Sequence, residues 1–248
     1  MCIRDRLKDG SELYIQRRNR RLLNNHRKEL RVFTKAEAVA YLDIDARTLD
    51  KYCKALKINP RRHEESQWLL DIEEVYKVRD SLPEELKKQL PFVRGESQEL
   101  QVIVVQNQKG GVGKTVTAAT AASGLATEFH QNYRVGLIDM DGQGTLSMYY
   151  APESAEEGCL SVGDLIMGNY ELDDNETLKE AISEAFLPTT IPNLRILPAS
   201  QSDRAIEGWF HEAVFNQQLS SPYSILHDII EQVKDEFDII IIDTPPSL

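Results

Sequence analysis

Residues 101–115 read Gln-Val-Ile-Val-Val-Gln-Asn-Gln-Lys-Gly-Gly-Val-Gly-Lys-Thr. A short apolar, mostly β-branched run enters a glycine-rich turn, and an alanine-rich stretch follows from Thr115 to about Phe129. An uninterrupted apolar run predicts a strand buried on both faces, and the alanine-rich stretch predicts a helix. Glycines between the two let backbone N–H groups close around phosphate oxygens, with the positive end of the helix aimed at them. The general phosphate-loop pattern G-x-x-x-x-G-K-[ST] is met at Gly113, Lys114 and Thr115 and fails at its first glycine, where Gln108 stands. Lys109-Gly110-Gly111 supplies the missing glycines. Lys114 is expected to reach the β- and γ-phosphates of a nucleotide, and Thr115 to bind Mg2+ through its hydroxyl. The expected nucleotide-contacting stretch is Lys109, Gly110, Gly111, Val112, Gly113, Lys114, Thr115 and Val116. A ligand-free glycine turn is the alternative, and a seven-position match between strand and helix weighs against it.

Outward from this loop, Val135–Ile138, Leu194–Leu197 and Phe237–Ile242 read as further apolar strands. Helical stretches separate them at Ser161–Met167, Thr177–Phe186 and Ser224–Glu236. Alternating strands and helices predict an α/β fold, the parallel sheet of a P-loop NTPase with helices on both faces. Such a sheet places its ligand at the carboxyl ends of its strands. Asp139, Asp141 and Asp243 stand at or just past such ends.

The preceding residues have another character. Residues 1–99 hold 22 Lys and Arg against 18 Asp and Glu, whereas residues 100–248 hold 7 against 22. The split predicts two units and makes the first the likelier nucleic-acid contact. We divide the chain into a basic helix or arm over 1–31, a helix-turn-helix domain over 32–97, and the nucleotide domain over 98–248. Residues 7–31 read as a basic, weakly amphipathic helix or as a merely solvated charged face. Thr34 followed by Glu37 predicts a capping box and a helix start. Asp45 is a good N-cap for a second helix, which carries Leu49, Tyr52, Cys53 and Leu56 on one side. Arg47, Thr48, Lys51 and Lys54 would then lie on or near the exposed face of a recognition helix. An ordinary helical hairpin used for dimerisation is the alternative. Asn59–His63 reads as a basic turn, Trp68–Leu70 as a short strand, and Asp71 as the cap of a further helix, the order of a winged domain. Pro83 and Pro91 bracket a polar helix, and Gly95–Gln98 reads as a linker.

Composition narrows the classes. No apolar run reaches the length of a membrane span, and the charged N-terminus lacks a signal-peptide core. The 3 cysteines are far apart and form no C-x-x-C pair, which argues against zinc and disulfides. A cytoplasmic protein that does not act at a membrane is the expectation.

Lys109 to Thr115 resembles the deviant Walker A motif of the ParA/MinD ATPases. The resemblance implies that Lys109 crosses a homodimer interface to the partner's nucleotide, a nucleotide-sandwich dimer. A second cation there would neutralise charge on the transferred phosphoryl group. Asp139-Met140-Asp141-Gly142-Gln143 resembles the family's D-x-D-P-Q motif, with Gly142 in the proline's place, which predicts a more flexible loop. Asp141 then maps onto the carboxylate that orients the attacking water, and Asp139 lies nearer the metal. Ile239–Asp243 with Thr244-Pro245-Pro246 resembles the Walker B strand, so Asp243 would hold Mg2+ through water. Val116 fits the larger ParA proteins, which carry an N-terminal helix-turn-helix.

The resemblance thus implies catalytic roles for Lys109, Lys114 and Asp141, a metal set of Thr115, Asp139 and Asp243, and ATP/ADP with Mg2+ as cofactors. It also implies partners: operator and nonspecific DNA, and a ParB-type centromere-binding protein that stimulates hydrolysis. Such proteins segregate DNA and repress their own operon. A nucleotide-responsive repressor without a partition role, and a metabolic P-loop ligase, are the competing readings. Met1–Arg6 resembles a translated adapter remnant. The sequence stops within the Walker B region, so a longer reading frame is expected.

Overall fold

In a computed structural model, residues 31–63, 67–87, 92–95, 97–128, 130–155, 159–173, 175–215 and 223–246 are described. The expected basic helix lies, apart from Arg31, outside them. Two compact units form, one on Arg94–Thr127 and Tyr133–Leu248, the other on Lys28–Val93 and Glu128–Asn132.

The smaller unit runs β1 (Val32–Thr34), α1 (Lys35–Leu42), α2 (Ala46–Ala55), β2 (Arg61–His63), β3 (Gln67–Asp71) and α3 (Ile72–Ser81). Its sheet is antiparallel with the order β1-β3-β2. Each helix begins where a side chain replaces the missing carbonyl partner of its first amides. Thr34 and Glu37 form the expected capping box on α1. The Asp45 carboxylate accepts from the amides of Arg47 and Thr48 at 2.8 and 3.0 Å at the start of α2. Asp71 and Glu74 do the same for α3. Asp43 ends α1 with φ of 50°. Phe33, Ala38, Leu42, Leu49, Cys53, Leu70, Val75 and Val78 form one buried core. Two expectations fail. The basic turn is partly strand, in β2, and residues 83–87 of the expected polar helix form a turn.

The larger unit carries β4 (Gln101–Val105), α4 (Lys114–Ala126), β5 (Val135–Asp139), α5 (Thr145–Tyr150), α6 (Val162–Met167), α7 (Leu178–Ala185), β6 (Leu187–Pro188), β7 (Leu194–Leu197), α8 (Ile206–Phe215), α9 (Tyr223–Val233) and β8 (Ile239–Asp243). The sheet order is β4-β8-β5-β7-β6, parallel except where β6 pairs antiparallel with β7. Successive strand residues point to opposite faces. Ile138, Leu197, Ile240 and Ile242 pack with α6, α7, α8 and α9, while Leu137, Ile196 and Ile241 pack with α4 and α5. Helices therefore cover both faces of an α/β sheet, as expected. No helix among the described residues is long and apolar enough to cross a membrane.

Among the described residues β4 stands at one end of the sheet, paired with β8, and Val102, Ile103 and Val104 are 45%, 44% and 53% exposed.

Asp238 fixes the entry to β8. Its buried carboxylate accepts from the Arg134 amide at 2.9 Å and from Arg134 Nη2 at 2.7 Å. The Asp238→Ala variant leaves the Arg134 amide without its acceptor, so it should lose about 1–3 kcal/mol of stability. Urea unfolding of this variant beside Asp235→Ala checks this, and equal midpoints would refute it.

Candidate nucleotide site

The parallel register lines up three strand ends. Val105, Asp243 and Asp139 are neighbours across β4, β8 and β5. The phosphate loop leaves β4 next to the two carboxylates, which places Lys109–Thr115, Asp139 and Asp243 at one edge, as expected of a site at the carboxyl ends. Thr244 Oγ1 donates to the Val105 carbonyl at 3.0 Å and ties β8 to the start of the loop.

Backbone conformation explains the glycines. Gly111 and Gly113 have φ of 74° and 89°, where a side chain is strained. A Cβ at Gly110, Gly111 or Gly113 would meet nothing within 4 Å, so the loop is open on the side these positions face. Gly113 is the N-cap of α4 and offers no side-chain hydrogen bond, unlike Thr34, Asp45 and Asp71. The first amides of a helix of 13 residues therefore carry no side-chain cap, and such a terminus attracts an anion. Lys109, Gly110, Gly111 and Val112 are exposed around it, as is Val116, which is 68% exposed. The Lys109 amide donates to Asn107 Oδ1 at 2.9 Å.

The carboxylates differ sharply. Asp243 is fully buried, and neither of its oxygens has a hydrogen-bond partner. Burial pushes its pKa up; the nearby Thr115 hydroxyl and Lys114 ammonium oppose this, and Asp141 reinforces it. An orphaned buried carboxylate beside a threonine hydroxyl fits a hard cation with oxygen ligands. No cluster of three or more His, Cys, Asp or Glu forms a metal cage among the described residues. Mg2+ takes one or two protein oxygens and completes its shell with phosphate and water.

Asp139, expected on the metal side, already accepts hydrogen bonds from the protein. It is fully buried, and its Oδ1 accepts from the Asp141 amide at 3.2 Å and its Oδ2 from the Ser147 amide and Oγ at 2.9 and 2.7 Å. Gly144, the N-cap of α5, has no side chain, so Asp139 does that capping work from β5. Burial raises its pKa to about 6, against the pull of the Ser147 and Asp141 donors, with Asp243 adding to the rise. Asp141 lies half-buried in the loop that follows, where its Oδ1 accepts from the Gln143 amide at 2.9 Å. Gly142 is not a free hinge, because a Cβ there would come within 2.9 Å of Arg204 Cγ and 3.2 Å of Arg204 N.

In the smaller unit Arg47, Lys51 and Lys54 are exposed at helical spacing on α2, opposite the buried Leu49 and Cys53. Thr48 is used differently, since its hydroxyl donates to Asp45 Oδ2 at 2.8 Å. Ser147 and Arg204 were missed by sequence reasoning. A hydroxyl eight residues beyond the first aspartate of the D-x-D motif was the available signal for Ser147; nothing local marks Arg204.

Residues 100–248 match the family model described as an AAA domain. A protein from Rhizobium rhizogenes called putative replication protein A is 30% identical over 227 residues, covering 89% of this chain and 54% of that protein. Plasmid partition protein A of Escherichia coli is 26% identical over 165 residues, 64% of this chain and 40% of that one. A solved partition protein superposes with a TM-score of 0.61 at 23% identity, over 95% of this chain and 64% of that chain. The chain thus spans about half the length of the curated relatives it matches. With a match across more than half its residues, the chain belongs to the AAA domain family, and the relatives it resembles include proteins named for plasmid and chromosome partition.

Proposed function

We propose that the protein is an Mg2+-dependent ATPase that works as a nucleotide-driven DNA-partition switch. The observation that carries the reading is the buried, unpartnered Asp243 carboxylate beside Lys114, Thr115 and the side-chain-free start of α4. Backbone amides of residues 110–115 would hold the phosphates, and Lys114 would pair with the β- and γ-phosphates. Thr115 and Asp243 would hold Mg2+, which when bound neutralises phosphate charge. Asp141 would orient the attacking water, and Lys109 would reach the nucleotide of a second copy in a sandwich dimer. Mg2+ with ATP should raise the melting temperature of the wild-type protein and be turned over, whereas ATP with EDTA should do neither. A melting temperature indifferent to Mg2+ and ATP refutes the site.

We extend the proposal to DNA. The helix pair α1–α2 with the β2–β3 hairpin is read as a winged helix-turn-helix domain over 32–97, and the stripe Arg47, Lys51, Lys54 supports contact with operator DNA. Association with the nucleoid, stimulation by a ParB-type protein and repression of its own operon follow from the same reading. An Arg47→Ala/Lys51→Ala double variant should weaken DNA binding and lower the slope of log affinity against log salt by about 2. An unchanged slope would instead favour α2 as a dimerisation element.

A further inference from the structure

We propose that Ser147 is a positioning residue that, with Asp139, clamps the loop carrying Asp141; this rests on the hydrolytic reading above. The loop from Met140 to Gly144 holds two glycines, and Gly144 sits at φ of 60°. A chain of this composition has many conformations open to it. A carboxylate that orients a water must nevertheless be held to within about 0.5 Å. Something must fix the loop, and the buried polar atoms around it show what does.

Ser147 is almost fully buried. Its Oγ donates to Asp139 Oδ2 at 2.7 Å and accepts from the Ala199 amide at 2.8 Å. One hydroxyl thereby joins the end of β5 to the segment that leaves β7. The same aspartate accepts from the Asp141 amide, so the loop is gripped at its start and again at α5. The far side of the loop is closed by the 199–204 segment. Gly142 lies against Arg204, and a Cβ at Gly144 would come within 3.5 Å of the Ala199 carbonyl.

That segment is itself anchored. The buried Asp203 carboxylate accepts from the amides of Gly163 and Ser200 at 3.2 and 3.0 Å and from Ser161 Oγ at 2.7 Å. A Cβ at Gly163 would overlap the Asp203 carboxylate, so α6 and the segment fit only because residue 163 is glycine. The loop that carries Asp141 thus sits between a hydrogen-bonded bolt and a packed wall.

The test compares Ser147→Ala, Ser147→Thr and Gly142→Ala in the full chain. In the nucleotide-free protein, Ser147→Ala should speed amide exchange at residues 141–147 about tenfold or more, while β8 and α4 keep their protection. With Mg2+ and ATP, its kcat should fall about 10- to 100-fold, with nucleotide Kd held within about twofold. Ser147→Thr retains the hydroxyl and should recover most of both. Gly142→Ala displaces the loop from the Arg204 side and should show the same split between kcat and Kd. Exchange that rises evenly across the sheet, a loss of kcat matched by an equal loss of affinity, or no rescue by threonine would overturn the clamp. A wild-type chain without turnover would sink the hydrolytic reading, and the exchange arm would still decide the clamp on its own.

Discussion

Lys109→Ala should leave ATP affinity within about threefold of wild type and reduce ATP turnover by about 10²–10³-fold. The loop geometry is the reason to expect the two effects to part. In the proposed reading the nucleotide would be held by the amides of residues 110–115 and by Lys114, and the open conformation of that loop depends on the positive φ of Gly111 and Gly113, not on the Lys109 side chain. Lys109 is exposed, and its amide donates to Asn107 Oδ1. A cation supplied from such a position is useful where charge develops on the transferred phosphoryl group, and removing one such group costs about 10²–10³ in kcat. Lys114→Ala is the contrasting control, since it should lose binding and turnover together. Isothermal titration with a slowly hydrolysed ATP analogue gives the affinity, and phosphate release gives the rate. If Lys109→Ala turns over ATP as fast as wild type, Lys109 has no role across a dimer.

The sequence announced some parts of this molecule and concealed others, and the difference follows from range. Thr34 with Glu37, Asp45, and Asp71 with Glu74 act over three residues, so the caps of α1, α2 and α3 could be read directly. The interior strands β5, β7 and β8 carry apolar runs whose burial both sheet faces enforce. The three-residue strands β1 and β2 are too short to show alternation. α5 has only 6 residues and takes its cap from Asp139 on another element, so no local start signal exists. The same distance hid the function of Asp139. Its motif position marked it as a metal-side group, but Ser147 and the Asp141 amide, which turn it into a bracket, are visible only after folding. Asp243 is the opposite case. Its residue type and strand-end position made it a metal-side candidate in advance, and the fold adds that it is buried with no hydrogen-bond partner on either oxygen.

Asp243→Asn should make the nucleotide-free protein more stable and the Mg2+-dependent activity at least 10²-fold weaker. A buried carboxylate without a donor is a cost to the fold, of the kind that shifts a pKa upward to avoid ionisation. Both buried site carboxylates, Asp139 and Asp243, are shifted in that direction, Asp139 to about 6. Below the ordinary aspartate value of 3.8 both are protonated in the folded and unfolded chain, and neither penalises folding. As pH rises, the unfolded chain ionises first while the folded site holds its protons, so the contribution of Asp139 to stability falls up to about pH 6 and then levels off, and that of Asp243 falls in the same direction. Exposed carboxylates with lowered pKa, such as Glu37 and Glu180, act in the opposite sense, but their contribution is complete above their ordinary value of 4.5. The interval between about 4.5 and 6 therefore reports Asp139. In that interval the wild-type melting temperature should decline with rising pH. At neutral pH, without nucleotide, the variant should melt a few degrees higher, the shift expected for about 1–2 kcal/mol in a chain of this size. With Mg2+ and ATP the order should reverse, because the wild-type carboxylate then faces a cation that the amide binds poorly. The site is in this sense built at the expense of the empty fold. A variant that melts below wild type in the absence of nucleotide would show that Asp243 already has a stabilising partner, and would remove the basis for assigning it to Mg2+.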